Sequence, residues 1–301
     1  MRILVTGREG QVAKALLARA DAQPETLIVL ALGRPELDLT DRTSITRAIA
    51  GFSPDLLVNA AAYTTVDKAE SEQDAAFAVN RDGAGNAAAA AAAAGIPIIH
   101  LSTDYVFDGD GDAPHREDDA TGPLGVYGRS KLAGENAVRA ANPAHAILRT
   151  SWVYAPWGNN FAKTMLRLAG ERDVVRVVAD QHGAPTYAPD IAAGILAVAE
   201  TALAEPRGAG WRGVFHMTAA GETTWAGFAE AIFAASAARG GPTARVEPIT
   251  TADYPTPARR PANSRLDNSR FQSTFAHALP NWRDGTERCV VELISTGKRP
   301  D

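Results

Sequence analysis

The sequence predicts an α/β fold in which a parallel sheet carries helices on both faces. Two observations support this class. Short, wholly apolar runs such as residues 3–5 and 56–58 are typical of strands that are buried on both sides. Helical stretches separate these runs in regular alternation, and a strand–helix–strand order favours a doubly wound parallel sheet.

The elements of the first half can be placed in order along the chain. Predicted strands cover residues 3–5, 27–32, 56–58 and 98–101, with a further strand around 146–148. Predicted helices cover residues 11–19, 41–50, 74–94 and 126–141. We interpret residues 74–94 as one helix because alanine has the highest helix propensity, and Gly95 and Pro97 end it.

The alternation becomes looser after about Trp152. Helices are predicted over residues 161–169, 191–203 and 225–238, and strands over residues 174–178 and 214–217. The proline-rich stretch 242–261 is predicted to be a loop. We therefore expect a first domain over residues 1–152 and a smaller lobe over residues 153–301, with later segments free to return to the first domain.

Composition excludes several classes of protein. With 301 residues, 46% hydrophobic and 22% charged, the chain can bury a core without a disulfide or a metal. A net charge of -5 argues against binding nucleic acid by phosphate neutralisation. No apolar run is long enough for a signal peptide or a bilayer span, so a cytoplasmic protein is expected. The single cysteine, Cys289, lies in an apolar helical run and is predicted to pack in the interior.

The first turn suits a dinucleotide. Residues 7–13 (GREGQVA) follow the first strand and open the first helix. Gly7 permits a tight turn, Gly10 lets the backbone approach a pyrophosphate, and Ala13 is small enough for helix–strand packing. The helix N-terminus adds amide donors for the phosphates. A turn without any ligand would also use these residues, so the motif alone leaves both interpretations open.

The end of the second strand bears on the choice of cofactor. It reads LALGR over residues 30–34 and lacks the acid that binds the adenosine ribose of NAD. Arg34 can hold a 2′-phosphate, which favours NADPH over NADH as the cofactor. The alternative is that Arg34 is only a solvated loop charge. Asp38 and Leu39 follow, where they could border the adenine.

A tyrosine and a lysine four residues apart supply candidate chemistry. Tyr127 and Lys131 share one face of a predicted helix, where a nearby ammonium is expected to lower the pKa of the phenol. Such a phenol can protonate a carbonyl oxygen, although the spacing by itself is more typical of an exposed amphipathic helix. Residues 102–105 (STDY) end a buried strand at the sheet edge where ligands bind, so the Thr103 hydroxyl could complete a trio.

Several segments together resemble the extended short-chain dehydrogenase/reductase family, and within it the reductases of dTDP-linked 4-keto-6-deoxy hexoses. They are residues 6–12 (TGREGQV), 38–41 (DLTD), 58–72 (VNAAAYTTVDKAESE), 101–109 (LSTDYVFDG), 127–135 (YGRSKLAGE), 149–154 (RTSWVY) and 179–186 (ADQHGAPT). The last third matches only at residues 260–264 (RPANS). The resemblance implies a Rossmann-type doubly wound parallel sheet, which binds NADPH or NADH, with a smaller C-terminal substrate-binding lobe.

The resemblance also implies roles for individual residues. The catalytic trio would be Thr103, Tyr127 and Lys131. The cofactor would lie against Gly10, Gln11 and Val12 at the pyrophosphate, Asp38 and Leu39 at the adenosine, and Ala62, Tyr63, Thr64, Tyr127 and Lys131 beyond it. Gly7 and Arg34 join this set from the turn and strand arguments above. The sugar would contact Thr103, Asp104 and Trp152, although a tryptophan just past a strand also suits core packing.

A metal site is not expected. Some family members hold Mg²⁺ at a dimer contact through carboxylates, one of them on the first helix, where this chain has Ala15. A hard cation needs oxygen ligands, so this site is predicted to be missing. The six histidines are scattered along the chain, with none at chelating spacing. The sequence is compatible with a homodimer.

The implied reaction is hydride transfer to C4 of the keto sugar, with Tyr127 protonating the resulting alkoxide. One alternative is a related nucleotide-sugar epimerase or dehydratase. Sugar-nucleotide dehydratases carry two adjacent carboxylates after the threonine, whereas here Asp104 is followed by Tyr105. Another alternative is a non-catalytic binding or regulatory subunit on the same fold, because fold alone does not decide function.

Overall fold

The structure, a computed structural model, describes residues 1–295. The strands are β1 (Arg2–Thr6), β2 (Ile28–Leu32), β3 (Leu56–Asn59), β4 (Ile98–Thr103), β5 (His145–Thr150), β6 (Val153–Tyr154), β7 (Val174–Val178), β8 (His182–Gly183), β9 (Thr186–Tyr187), β10 (Gly213–His216), β11 (Thr223–Thr224) and β12 (Arg245–Ile249). The helices are α1 (Gln11–Ala22), α2 (Arg42–Phe52), α3 (Val66–Ala69), α4 (Gln73–Phe77), α5 (Ala84–Ala93), α6 (Val126–Ala141), α7 (Phe161–Ala169), α8 (Ala188–Ala204), α9 (Trp225–Ala237), α10 (Ser269–Phe275) and α11 (Trp282–Ser295).

Six parallel strands form the central sheet in the order β10-β5-β4-β3-β1-β2. The chain moves outward from β1 to β2, and then crosses back to place β3 on the other side of β1. The carboxyl ends of β1 and β3 therefore border the crevice where open α/β sheets bind ligands. This confirms the predicted Rossmann-type doubly wound fold.

Both faces of the sheet are covered. Side chains alternate along a strand, so Ile3 and Val5 of β1 point to one face and Leu4 to the other. The first face packs against α1 and α8, and the second against α2 and α5. All three side chains are fully buried. Two segments from the later half, α8 and β10, thus belong to the core of this sheet.

A second core lies between α7, α9, α11 and the two-stranded sheet of β7 and β12. Phe228, Trp282 and Cys289 are all buried in this core, which confirms the packing role predicted for the cysteine. The division into a dinucleotide-binding part and a substrate-binding lobe stays a prediction.

Residues 74–94 were predicted to form one alanine-rich helix, but the structure does not have a uniform α-helix there. Between α4 and α5 the chain forms a π-helical segment, Ala78–Gly83, in place of α-helical turns. Within it the carbonyl oxygen of Asn80 lies where α6 passes closely, and a Cβ built on Gly134 would come within 2.0 Å of that oxygen. The π turn also aims the Asn80 side chain toward the segment after β3, as described below.

The loop prediction for residues 242–261 is wrong over β12. This strand pairs in parallel with β7, and Pro248 lies opposite Val177. Proline has no N–H to donate, and it is tolerated here because a two-stranded sheet leaves one edge of each strand unpaired. A single 3₁₀ turn, Thr251–Asp253, follows the strand.

Residues 1–295 contain no cluster of three His, Cys, Asp or Glu side chains that could hold a metal ion. Ala15, at the position where a carboxylate ligand would stand, is buried in the first core. Within the same range of the chain, no helix combines the length and the apolar character needed to cross a bilayer.

Candidate active site

The turn after β1 is shaped to receive a phosphate. Gly7 has a φ of +93°, in the left-handed region, and a Cβ there would lie 3.1 Å from the Cα of Ala61. Gly10 precedes α1 in an extended conformation, and within the described chain the first turn of α1 has neither an acidic residue nor a side-chain cap. Its amides therefore remain available to an anion, which fits a pyrophosphate.

Gln11 anchors this turn to the loop after β5. Its Nε2 donates to the carbonyl of Val153 at 3.4 Å, and its Oε1 accepts from Nδ2 of Asn160 at 2.9 Å. The indole N–H of Trp157 donates to the Gln11 carbonyl at 3.0 Å. The side chain of Val12 is buried in the first core. Both residues can thus offer a phosphate only their backbone amides.

Arg34 is exposed immediately after β2, next to the glycine turn, where the Gly7 amide donates to the Leu32 carbonyl at 2.7 Å. The Asp38 carboxylate accepts hydrogen bonds from the backbone amide of Thr40, at 2.9 Å, and from the Thr40 hydroxyl, at 2.8 Å. These bonds lower the pKa of Asp38. Leu39 is buried behind this turn. Arg34 and Asp38 are thus accessible in the segment after β2, whereas Leu39 is not, and a contact of these residues with the adenosine stays a prediction.

Residues 62–64 (AYT) follow the carboxyl end of β3 without regular secondary structure. Asn80 fixes their path, because its Oδ1 accepts the Tyr63 amide at 2.8 Å while its Nδ2 donates to the Tyr63 carbonyl at 3.0 Å. The same Nδ2 lies 2.9 Å from the hydroxyl oxygen of Ser130 on α6. The π-helical residue therefore joins the predicted cofactor-lining segment to the helix that carries Tyr127 and Lys131.

The structure brings the three candidate catalytic residues together at the carboxyl end of β4. Thr103 is the last residue of β4 and is buried, and its hydroxyl donates to the carboxylate of Asp104 at 2.9 Å. Tyr127 lies in the first turn of α6, and Lys131 follows one turn later. The Lys131 ammonium donates to the carbonyl of Leu101 at 2.6 Å.

The charge states of this trio differ from the prediction in one respect. Burial, followed by the charge of Asp104, raises the pKa of Tyr127 to about 12, although a hydrogen bond with Thr103 acts in the opposite direction. The expected lowering by Lys131 is wrong for this structure, since that ammonium is directed to the Leu101 carbonyl. The phenol therefore carries its proton at neutral pH, as a proton donor must.

Lys131 is itself buried, and burial lowers the pKa of its ammonium to about 8. Asp104 behaves in the opposite sense, since burial raises the pKa of its carboxyl to about 6 against hydrogen bonds from the hydroxyls of Ser264 and Thr103. Between these two values both groups are charged, so the site holds one anion and one cation beside a neutral phenol.

Trp152 has a strained backbone and a close aromatic partner. Its φ is +48°, in the left-handed region, and its ring stacks on Trp225 of α9 with centroids 3.6 Å apart and an angle of 11° between the planes. A Cβ on Gly183 would come 2.6 Å from the ring. The ring is half-buried and packs against Trp225, and its contact with the sugar stays a prediction.

Comparison with known proteins decides the family. The family model of the RmlD substrate binding domain matches residues 1–295. The chain belongs to this family. The dTDP-4-dehydrorhamnose reductase of Sinorhizobium fredii (strain NBRC 101917 / NGR234) is 52% identical over 298 residues, which cover 99% of each chain. The predicted resemblance is thereby confirmed.

Solved structures agree with this assignment. A dTDP-4-dehydrorhamnose reductase from Clostridium acetobutylicum ATCC 824 is 35% identical, with a TM-score of 0.89 over 98% of this chain and 100% of its own. The enzyme of the same name from Bacillus anthracis str. Ames, in complex with NADP, is 34% identical, with a TM-score of 0.88 over 97% of this chain and 99% of its own.

Some site residues of this RmlD-family chain were missed from the sequence. Ser264 reaches Asp104 from the last third of the chain, and nearby Arg260 binds the carboxylate of Asp67 through two nitrogens, at 3.1 and 2.8 Å. Both residues lie in the segment 260–264 (RPANS), whose resemblance to the family could have pointed to them. Asn80 had no signal beyond being a polar residue within a predicted helix.

Proposed function

We propose that the protein reduces the C4 ketone of dTDP-4-dehydro-L-rhamnose to dTDP-L-rhamnose with NADPH or NADH. The observation that carries this proposal is the position of Tyr127 in the first turn of α6, beside Thr103 at the carboxyl end of β4 and one turn before Lys131. The full-length similarity to proteins named dTDP-4-dehydrorhamnose reductase supports the choice of substrate.

The residues of the trio have separate tasks in this reaction. The bound nicotinamide cofactor supplies the hydride. Tyr127 donates its proton to the C4 oxygen, and the Thr103 hydroxyl donates a hydrogen bond to the same oxygen. The charged Lys131 would orient the phenol and the nicotinamide ribose once its ammonium turns from the Leu101 carbonyl, which it binds in this structure. Because the Thr103 hydroxyl now donates to Asp104, it would have to turn from that carboxylate to the substrate.

The cofactor would lie along the crevice described above. Backbone amides of the first turn would meet the pyrophosphate, and Arg34 would meet a 2′-phosphate. The residues assigned to this site are Gly7, Gly10, Gln11, Val12, Arg34, Asp38, Leu39, Ala62, Tyr63, Thr64, Tyr127 and Lys131. For the sugar nucleotide we assign Thr103, Asp104 and Trp152.

The alternative of a dehydratase requires a second carboxylate after the threonine. Here that position is Tyr105, whose ring stands edge-on to Tyr127 with centroids 5.6 Å apart. We expect the purified protein to oxidise NADPH or NADH in proportion to added dTDP-4-keto-6-deoxy-L-hexose, and to leave dTDP-glucose unchanged. Turnover of dTDP-glucose without net loss of NADPH would instead establish a dehydratase.

Trp152→Ala tests the assignment of the sugar site. We expect KM for the sugar nucleotide to rise roughly 10-fold, because a stacked ring contributes about 0.5–1.5 kcal/mol beyond its buried area and ~1.4 kcal/mol is a factor of ten. Affinity for NADPH, measured by fluorescence titration, should not change. A variant that mainly loses melting temperature and keeps its KM would show that Trp152 serves only to pack against Trp225.

A further inference from the structure

A buried ion pair lies one helical turn beyond Lys131. The carboxylate of Glu135 on α6 is fully buried and accepts two hydrogen bonds from Arg149 of β5, at 2.9 Å from Nε and 2.8 Å from Nη2. An isolated buried carboxylate is strongly destabilising, and a bidentate arginine offsets this. Both residues lie in segments that resemble the family, residues 127–135 and 149–154, yet the proposed reaction uses neither.

Ser102 connects this pair to the catalytic strand. Its hydroxyl donates to Oε1 of Glu135 at 2.6 Å. Ser102 and Arg149 are directly opposite each other in the β4–β5 register, and the next pair of residues is Thr103 and Thr150. Glu135 therefore holds α6 against both strands one residue before Thr103.

Lys131 makes the neighbouring contact between α6 and β4. Residues four apart share a helix face, and the Lys131 ammonium binds the Leu101 carbonyl while the Glu135 carboxylate binds Ser102. The two contacts together set how α6 lies on β4. Since Tyr127 is on this helix and Thr103 on this strand, they also set where the phenol stands relative to the threonine hydroxyl.

Titratable groups face Lys131 from two elements of the described chain. On α6 they are Tyr127, which is neutral, and Glu135, whose charge raises the pKa of Lys131 against the effect of burial. From β4, His100 faces the ammonium, and its pKa is held well below its ordinary value by burial and then by the charge of Lys131. Asp104 lies on the far side, beside Tyr127.

Two arginines, one on β5 and one on α6, lie next to the Glu135 carboxylate. Arg149 binds it directly, and Arg139 lies 3.7 Å from its Oε2. A change at Glu135 therefore alters the field at Lys131 while these two arginines stay charged.

We propose, resting on the reductase function above, that Glu135 is a positioning residue, which acts through Ser102 on Thr103 and through its own charge on Lys131. It touches no reacting atom. The competing explanation is that the Glu135–Arg149 pair only stabilises the fold. The two explanations differ in what they predict for the pH dependence of activity. A loss of stability alone would not shift the pH profile.

Glu135→Gln keeps the shape and the acceptor for Ser102 but removes the charge. We expect kcat to fall roughly 10-fold, with KM for the sugar nucleotide nearly unchanged, because misplaced groups reduce the rate. The loss of kcat/KM at alkaline pH should begin about one pH unit lower than in the wild type, since Lys131 then loses its proton more readily. NADPH affinity, followed by fluorescence against pH, should show the same displacement.

A matched control exists in the other half of the molecule. Asp190 on α8 is also a buried carboxylate, and it is bound by Arg288 of α11. Asp190→Asn should lower the melting temperature as Glu135→Gln does. It should leave unchanged the pH at which kcat/KM begins to fall on the alkaline side, which we call the alkaline limb of the profile. Equal displacement of the limb in both variants would overturn the proposal.

The double variant Glu135→Gln/Arg149→Met covers the case in which the single variant fails to fold. Replacing both members of a buried ion pair is often neutral for stability. We expect the double variant to fold and still to show the displaced alkaline limb. Wild-type kcat and pH profile in a stably folded double variant would show that the pair is only structural.

Failure of the reductase function would be visible separately. In that case the wild-type protein would not consume NADPH with the 4-keto sugar at all. The NADPH titration against pH needs no turnover, so the displacement between wild type and Glu135→Gln still decides the role of Glu135.

Discussion

Replacing Tyr127 by phenylalanine should reduce kcat roughly 100- to 10,000-fold, the range of general acid catalysis. The substitution removes the proton donor and keeps the ring, so the edge contact with Tyr105 is retained. NADPH affinity should change little. Steady-state kinetics with the 4-keto sugar and a fluorescence titration of NADPH measure the two quantities.

Tyr154→Phe is the matched control for this experiment. Tyr154 is also a buried tyrosine, but its hydroxyl lies 3.3 Å from Thr286 in the second core, away from Tyr127. We expect this variant to keep the kcat of the wild type. If the Tyr127→Phe enzyme retained activity within about threefold of the wild type, Tyr127 could not be the general acid, since that role is worth at least ~100-fold.

Arg34→Ala should weaken NADPH binding roughly 10- to 150-fold more than NADH binding. A hydrogen bond between an arginine and a phosphate contributes about 1.5–3 kcal/mol, and ~1.4 kcal/mol is a factor of ten. Only NADPH carries the 2′-phosphate, so the difference between the two cofactors isolates this contact. Dissociation constants for both cofactors, measured at one ionic strength, provide the test.

Loss of a positive charge could by itself weaken an anionic ligand. Arg19→Ala controls for this, because Arg19 lies in the last turn of α1, at the opposite end of the helix from the glycine turn. It should affect both cofactors slightly and equally. Equal weakening of NADPH and NADH in the Arg34 variant would show that Arg34 is only a solvated charge.

Features set by local sequence could be predicted correctly. The glycine turn needs a left-handed residue at position 7, and only glycine adopts that conformation without strain. Tyr127 and Lys131 were placed on one helix face by their spacing alone, and the structure has them on α6. Apolar runs predicted the buried parallel strands because both sides of such a sheet are covered.

Features that depend on distant segments could not be predicted. The stack of Trp152 on Trp225 joins residues more than seventy positions apart, and nothing local to either one signals the other. The pKa of Tyr127 was predicted in the wrong direction because the spacing to a lysine was visible, whereas burial and the charge of Asp104 were not. The network of Ser102, Glu135 and Arg149 likewise required the register of β4 and β5.

Isotope labelling can follow the hydride that we propose to pass from the cofactor to C4 of the sugar. The protein would be incubated with dTDP-4-keto-6-deoxy-L-hexose and NADPH that carries deuterium at the transferable position of the nicotinamide. We expect one deuterium at C4 of the product and one oxidised cofactor for each sugar reduced. A product without deuterium at C4, or turnover in which the added cofactor is not consumed, would contradict it.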